Sequence, residues 1–326
     1  MRHENIGIEL PLELRTPLLV ERPEGSGVLV RLNDSYLRSI AYIGCAHPGS
    51  DSSIDSHGTA FLVVHEQHTY LVTAAHVAVD FQDAPVDVRL NRNDNGLGRI
   101  EHIDEPKWYF HPDDTVDVAV MPFVAPAWAR VEYLKSKYFA TDFKVGTKNF
   151  GAGDLAYVVG IFNKMRGRNK NVPFVHTGNI ASMGGGETVL VRDWRLGAAG
   201  DATLETYGYL IQVTTLPESS GSPVFVRRSL QLAGVRHEDA SGQLHSARTW
   251  GYGSVWLLGL WHGSWETEER GITVGADTGL CVPVPKILEA LNRQDLVEMR
   301  REMNARKEAE NVLRPHSRRK KSRSRV

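Results

Sequence analysis

A short turn rich in serine and glycine, residues 217–225 (PESSGSPVF), lies between two apolar runs that have strand propensity. Gly and Pro this close together predict a sharp connection between strands. A serine hydroxyl is a weak nucleophile unless such a turn exposes it beside a base and near backbone N–H donors. Ser220, which directly precedes Gly221, is therefore the candidate nucleophile.

Two upstream segments supply candidates for the base and its partner. His76 follows the apolar run at residues 70–75, and Asp117 opens a later one. An imidazole can take the serine proton, and a carboxylate at the start of a buried strand needs a polar partner. Asp113 and Asp114 are rival acids, but no apolar run follows them directly, so we expect both to be solvated loop residues.

The chain order His76, Asp117, Ser220 resembles that of the trypsin-like (chymotrypsin-fold) serine peptidases, whereas the same triad on subtilisin-like and α/β-hydrolase folds has other orders. The resemblance covers residues 35–295, approximately. It implies an all-β fold of two six-stranded antiparallel β-barrels with a C-terminal helix. It also implies that Ser220 attacks the scissile carbonyl, His76 transfers the proton, and Asp117 orients the imidazole.

The pattern of β-prone runs divides the chain into six parts. We predict a connector that favours helix at residues 128–139, and an insertion at residues 227–253 between two strands of the second barrel. The predicted parts are an N-terminal extension (1–34), a first β-barrel with the His and the Asp (35–125), a connector (126–150), a second β-barrel with the Ser (151–285), a C-terminal helix (286–313) and a basic tail (314–326).

The resemblance places the oxyanion hole at the backbone N–H groups of Glu218 and Ser220. Glu218 stands where the family usually has Gly, and a side chain makes the required peptide turn harder. Ser219 stands where many secreted members have the Asp that pairs with a newly cut N-terminus. We therefore expect an enzyme that is either constitutively competent or switched by a partner.

By the same resemblance, the floor of the primary specificity pocket falls on Thr214 and a wall on Ser264. Neither side chain is charged, so we expect cleavage after small or medium apolar residues rather than after Arg or Lys. His262 falls where a small residue usually supports the triad Asp. It is included among the candidate substrate-binding residues, with tuning of Asp117 or plain packing as the alternatives.

Charge separates the end of the chain from its body. The sequence has 38 Lys and Arg against 39 Asp and Glu, a net charge of −1. Without the tail, 31 basic residues face 39 acidic ones, so a body of charge −8 precedes a tail of charge +7. We predict that the tail is disordered and offers a site for nucleic acid or an acidic partner, through Arg314, Arg318, Arg319, Lys320, Lys321, Arg323 and Arg325.

Several other features favour unremarkable roles. The early residues lack the apolar stretch of a signal peptide, and no apolar run is long enough to span a membrane, so we expect a cytoplasmic protein without membrane partners.

Cys45 and Cys281 are expected to be buried thiols. His65 and His68 fit a wet hairpin tip better than a metal site, because no third ligand has suitable spacing. We predict neither a metal nor a cofactor.

Three readings of the function follow. The first is a serine endopeptidase that acts on polypeptides through an acyl-enzyme. The second is a catalytically silent trypsin-like fold that binds a peptide by strand addition, for which Glu218 is the argument. The third is a scaffold tethered to nucleic acid by its basic tail.

Overall fold

A computed structural model describes residues 32–313, except for 95, 97, 149, 162–169, 200–201, 216–218, 239–243 and 270–271. Most of the predicted N-terminal extension and the whole basic tail lie outside the described residues. Glu218 also lies outside them. The statements below concern the described residues.

The first half of the chain forms an eight-stranded sheet. Its strands are β1 (Ile40–Ala46), β2 (Ile54–His65), β3 (His68–Thr73), β4 (Val86–Leu90), β5 (Arg99–Ile103), β6 (Tyr109–Phe110), β7 (Ala119–Pro122) and β8 (Leu134–Lys135). Neighbouring strands pair in the order β5-β4-β1-β2-β3-β7-β6, and β8 pairs with β2 in parallel. This path of pairing does not close on itself among the described residues, so a closed first barrel stays a prediction.

The second half contains a closed six-stranded barrel. Its strands are β9 (Leu155–Gly160), β10 (Phe174–Ser182), β13 (Tyr209–Gln212), β14 (Pro223–Glu238), β15 (Leu244–Glu269) and β16 (Ile272–Pro283). They pair in the order β10-β13-β16-β15-β14-β9, and the strands β11 (Thr188–Arg192) and β12 (Thr203–Tyr207) form a separate two-stranded sheet. The predicted all-β class, with two β-rich halves, is therefore confirmed.

Residues 227–253, predicted as an insertion between two strands of the second barrel, extend those two strands. β14 and β15 continue through this region as one hairpin, paired from Pro223 opposite Leu260 to Glu238 opposite Leu244. Several register shifts interrupt the ladder, which is typical of long twisted hairpins with β-bulges.

The helices also differ in part from the prediction. They are α1 (Asp34–Leu37), α2 (Ala75–Ala78), α3 (Asp142–Lys148), α4 (Val284–Leu291) and α5 (Gln294–Leu313), with 3₁₀ turns at Val79–Phe81, Ser136–Tyr138 and Trp194–Ala199. The segment predicted to favour helix, residues 128–139, forms β8 and a 3₁₀ turn instead. The helix of the connector, α3, begins only at Asp142. The single C-terminal helix is in fact two, and Asn292 caps the end of the first.

α5 fastens onto the hairpin of β2 and β3, and this overturns the prediction of a wet hairpin tip. His65 and His68 are buried, and their Nε2 atoms lie 2.9 and 3.1 Å from the amide oxygens of Asn292 and Asn304. Arg300, 2 % exposed, donates to the Tyr70 hydroxyl at 3.1 Å and also contacts Glu66. The helix that covers these histidines lies more than 200 residues away in sequence.

The two cysteines have different environments. Cys281 is fully buried in the core of the second barrel, as predicted. Cys45 is exposed, so the prediction of a buried thiol there was wrong. It lies near the end of β1 just after a register shift at Ile43 and Gly44, where the burial of the strand ends.

No described helix combines the length and the apolar character needed to span a membrane.

Candidate active site

His76 is positioned by a change from strand to helix. β3 ends at Thr73, Ala74 is extended, and α2 begins at Ala75. Both alanines are fully buried, so their small side chains let the chain turn tightly against the sheet. The His76 side chain emerges from this turn with 26 % of its surface exposed.

Asp117 is held against His76 by two hydrogen bonds. Its Oδ1 accepts the backbone N–H of His76 at 2.9 Å, and its Oδ2 accepts the ring Nδ1–H at 2.7 Å. The carboxylate is 3 % exposed and precedes the fully buried Val118 and Ala119. Because an ionised carboxylate only accepts hydrogen bonds, this contact selects the tautomer of His76 whose Nε2 carries a lone pair.

A second imidazole binds the same carboxylate. His262 Nδ1 lies 2.6 Å from Asp117 Oδ2, and the rings of His76 and His262 meet edge to face with 5.5 Å between centroids. His262 was placed among the substrate-binding candidates from sequence, and that role stays a prediction. In the structure, the ring of His262 lies beside Asp117 and His76 of the candidate triad.

These contacts shift the acid–base properties of the pair. Burial by itself raises the pKa of Asp117, but the adjacent His76 and His262 rings hold the pKa of this carboxyl well below its usual range. For His76, burial works against the charged form, while the charge and hydrogen bond of Asp117 favour it. The net result is a raised pKa of His76.

Ser220 sits in a turn that only glycine can complete. Gly221 has φ +82°, and a Cβ there would lie 2.1 Å from the Thr59 carbonyl oxygen and 2.3 Å from Thr73 Oγ1. The Gly221 N–H donates to the Trp261 carbonyl at 2.9 Å, and the Ser220 carbonyl accepts from Thr59 N–H at 3.0 Å. The nucleophile turn is therefore packed against the strand that leads to His76.

The Ser220 hydroxyl donates to the backbone carbonyl of His262 at 3.0 Å. Within the described part of the chain it makes no hydrogen bond to the His76 ring. Catalytic hydrogen bonds are often formed only when substrate is bound, and a rotation of χ1 re-aims a serine hydroxyl. The three candidates thus all contact His262, and the Ser220 hydroxyl is directed at the His262 carbonyl rather than at the His76 ring.

The family profile described as the trypsin-like peptidase domain matches residues 58–235, a span that contains His76, Asp117 and Ser220. The chain belongs to the trypsin-like peptidase domain family. Among solved structures, the Rv3671c protease from M. tuberculosis is similar in its active form, with 15% identity, coverage of 78% of this chain and 79% of that chain, and a TM-score of 0.41. Its inactive form gives 16% identity, 78% and 87% coverage, and a TM-score of 0.38. No curated protein matches the chain.

In this trypsin-like peptidase the hairpin of β11 and β12 braces the loop that carries Asp117. Arg195 pairs with Asp114 at 2.7 Å, and Thr206 Oγ1 donates to the Thr115 carbonyl at 3.0 Å. The 3₁₀ turn Trp194–Ala199 also contacts α2, which carries His76. Asp114 is 75 % exposed, so it is solvated as predicted, but it also joins the two halves of the peptidase.

The predicted oxyanion hole can be described only in part. Glu218 lies outside the described residues, whereas Ser219 is buried and Ser222 N–H donates to its carbonyl at 3.0 Å. The roles of the Glu218 and Ser220 backbone N–H groups stay predictions.

A carboxylate lies beside Thr214, the predicted floor of the specificity pocket, and the roles of Thr214 and Ser264 in such a pocket stay predictions. Thr214 Oγ1 donates to Asp277 Oδ1 at 2.8 Å, and both residues are exposed. β16 brings Asp277 there, because the Val213 N–H bonds to the Asp277 carbonyl beside the end of β13. No local pattern could have revealed this acid, since it lies 63 residues after Thr214. Ser264, the predicted wall, is exposed and pairs with Gly279 of β16.

The same cleft contains the one group of potential metal ligands found among the described residues. Ligand-type atoms of His76, Asp117 and His262 lie within 4.8 Å of one another. The two Nδ1–Oδ2 separations have the length of charge-assisted hydrogen bonds, which fits protons between these atoms. The prediction that the chain uses no metal and no cofactor stays a prediction.

Proposed function

We propose that this trypsin-like peptidase is a serine endopeptidase that cleaves polypeptides through an acyl-enzyme formed on Ser220. The observation that supports this most directly is the pair of hydrogen bonds from His76 to Asp117, next to the glycine-dependent turn of Ser220. A base fixed in the correct tautomer beside a constrained serine is the arrangement that nucleophilic acyl transfer needs.

In the proposed mechanism, substrate draws the Ser220 hydroxyl from the His262 carbonyl toward His76 Nε2. His76 takes the hydroxyl proton as Ser220 attacks the scissile carbonyl, and the Asp117 carboxylate stabilises the imidazolium that forms. His76 then gives the proton to the leaving amine. Water, activated by the same imidazole, hydrolyses the acyl-enzyme. Backbone N–H groups of Ser220 and Glu218 would stabilise the oxyanion.

The test is labelling by a fluorophosphonate probe together with hydrolysis of casein. The wild-type protein should be labelled and active, whereas Ser220→Ala and His76→Ala should each lose about 10⁴-fold or more in rate, because the triad acts as one unit. Asp83→Asn is the control, because Asp83 is an exposed acid outside the candidate site. Hydrolysis at the wild-type rate by Ser220→Ala would show that another group is responsible.

A peptide-binding module without catalysis is the second candidate. The hydrogen bond of the Ser220 hydroxyl to the His262 carbonyl favours it, because the hydroxyl is then not aimed at the base. Such a protein would bind an extended peptide along the free edge of a strand but would resist labelling. Peptide binding without any fluorophosphonate labelling would support this alternative. In either case we propose a cytoplasmic setting, in line with the expectation from sequence.

A further inference from the structure

β15 and its partner β16 lie beside Ser220. β15 passes the nucleophile where the Gly221 N–H bonds to the Trp261 carbonyl and the Ser220 hydroxyl bonds to the His262 carbonyl. Just beyond this point Gly263 pairs with Leu280 and Ser264 pairs with Gly279. The two strands therefore form one side of the space that faces the nucleophile.

The far edge of the Trp261 indole fills the space over Gly279. A Cβ on residue 279 would lie 2.4 Å from Trp261 Cη2 and 2.5 Å from Cζ2, and 2.3 Å from the Gly263 carbonyl oxygen, all far inside van der Waals contact. Trp261 is 1 % exposed and packs in the core of the second barrel with Val158 and Val213. Packing against these core residues therefore holds the indole in place, and the ring cannot rotate away without leaving a cavity in that core.

The next glycine along β15 has the opposite environment. A Cβ on Gly263 would meet nothing within 4 Å. Among the described strands, β16 is the one that pairs with Gly263 and Ser264, so the other edge of this short stretch is open to an extended peptide. A peptide bound on that edge, with its scissile carbonyl at Ser220, would place the side chain before the cleaved bond near Ser264 and Gly279.

We propose that Trp261 is the specificity-determining residue of this site, and that it restricts the residue before the cleaved bond (P1) to Gly, Ala or Ser. This inference rests on the proposed function. The indole takes the volume that a larger P1 side chain needs, and a packed interior does not yield such volume cheaply. It narrows the class of substrate to polypeptides cleaved after small residues, and it predicts that the Asp277 carboxylate does not select Arg or Lys.

The test compares peptide substrates that differ at P1 alone, with Ala, Leu, Phe or Arg. Wild-type kcat/KM should be highest for Ala, by about 10-fold or more over Phe and Arg, since pocket volume discriminates by factors of this order. Trp261→Val should raise the ratio of Phe to Ala by about 10-fold or more. A wild-type preference for Arg would overturn the inference and indicate that the Asp277 carboxylate sets the preference at P1.

Trp256→Val is the matched control, because this residue lies on the same strand and packs against the same core. It should lower stability without changing the ranking of P1 residues. If Trp261→Val does not fold, as judged by circular dichroism, Trp261→Phe keeps an aromatic ring in the core and should still shift the ranking toward Leu. An unchanged ranking in a folded Trp261 variant contradicts the inference.

Fluorophosphonate labelling of each variant keeps this result separate from the proposed function. If the wild-type protein is not labelled, the proposed function is wrong. If the variants are labelled but their P1 ranking is unchanged, only the proposed role of Trp261 is wrong.

Discussion

At the scale of single residues, the Asp117 carboxylate organises the site, because two imidazoles donate to one of its oxygens. A buried carboxylate that accepts several hydrogen bonds remains ionised at low pH, which agrees with its lowered pKa. His262 touches all three candidate triad residues: its ring contacts Asp117 and His76, and its carbonyl accepts from Ser220. Orientation of the base is thus shared between the two halves of the protein.

The charge of Asp117 should be visible in the pH dependence of activity. His76 accepts a proton only in its neutral form, so kcat/KM falls as the pH drops through the pKa of His76. Asp117 raises that pKa. Asp117→Asn should therefore move the acidic limb to lower pH and reduce kcat by about 10⁴-fold, because the amide no longer selects the tautomer. A pH–rate profile checks both effects, and a limb that moves to higher pH would contradict the assignment.

Gly221 is expected to be irreplaceable for stability as well as activity. Gly221→Ala combines a positive φ with contacts of 2.1 and 2.3 Å to Thr59 and Thr73. We expect a loss of about 3 kcal/mol or more in the free energy of unfolding, measured by urea titration. Gly185→Ala is the control, since Gly185 has φ +58° but nothing within 4 Å of its Cβ. It should cost about 1 kcal/mol. Equal losses would mean that the packing of the turn is unimportant.

At the scale of elements, α5 is attached to the first sheet mainly through polar groups. Beyond Leu296 the described side chains of this helix are mostly exposed, and Arg300 is the buried exception. Its guanidinium bonds to the Leu291 carbonyl and reaches Glu66 in the hairpin turn, where Glu66 and Gln67 both have positive φ. The helix therefore braces a turn whose conformation is unfavourable for side-chain-bearing residues.

Removal of this attachment should destabilise the protein. Arg300→Met leaves Tyr70 and the Leu291 carbonyl without a buried partner, and we expect a loss of about 3 kcal/mol in the free energy of unfolding. Arg306→Met is the control on the same helix, because Arg306 is 79 % exposed and its ion pair among the described residues is with Glu302. It should cost less than about 0.5 kcal/mol. Thermal and urea unfolding measure both, and similar values for the two variants would refute the role of Arg300.

At the scale of the whole molecule, the charge division between body and tail carries the remaining prediction. Seven basic residues follow residue 313, on a body of charge −8. If the tail binds nucleic acid, binding should weaken with salt, with a slope of about −0.9 per phosphate contacted on duplex DNA. Full-length protein and a chain ending at Leu313 are compared at two salt concentrations. Equal binding by both would leave the tail without this role, and peptide hydrolysis should persist in either case.

The sequence by itself determined the β-rich class of the fold and indicated the residues of the candidate site. His76, Asp117 and Ser220 were recognisable because each lies beside an apolar run with strand propensity, and Gly221 marks its turn through its own backbone. Such signals are local, since propensity and turn formation depend on neighbours within a few residues. The hairpin of β14 and β15 was missed because strand pairing over this length depends on partners rather than on propensity.

Only the tertiary structure decided which distant groups share the cleft. His262 lies 145 residues from Asp117, and Asp277 lies 63 residues from Thr214, yet each pair is within hydrogen-bonding distance. The indole of Trp261 fills the space over Gly279 for the same reason: the closed barrel places β15 against β16 in a fixed register. Contacts of this kind arise from the packing of strands that are remote in sequence, and no local pattern encodes them.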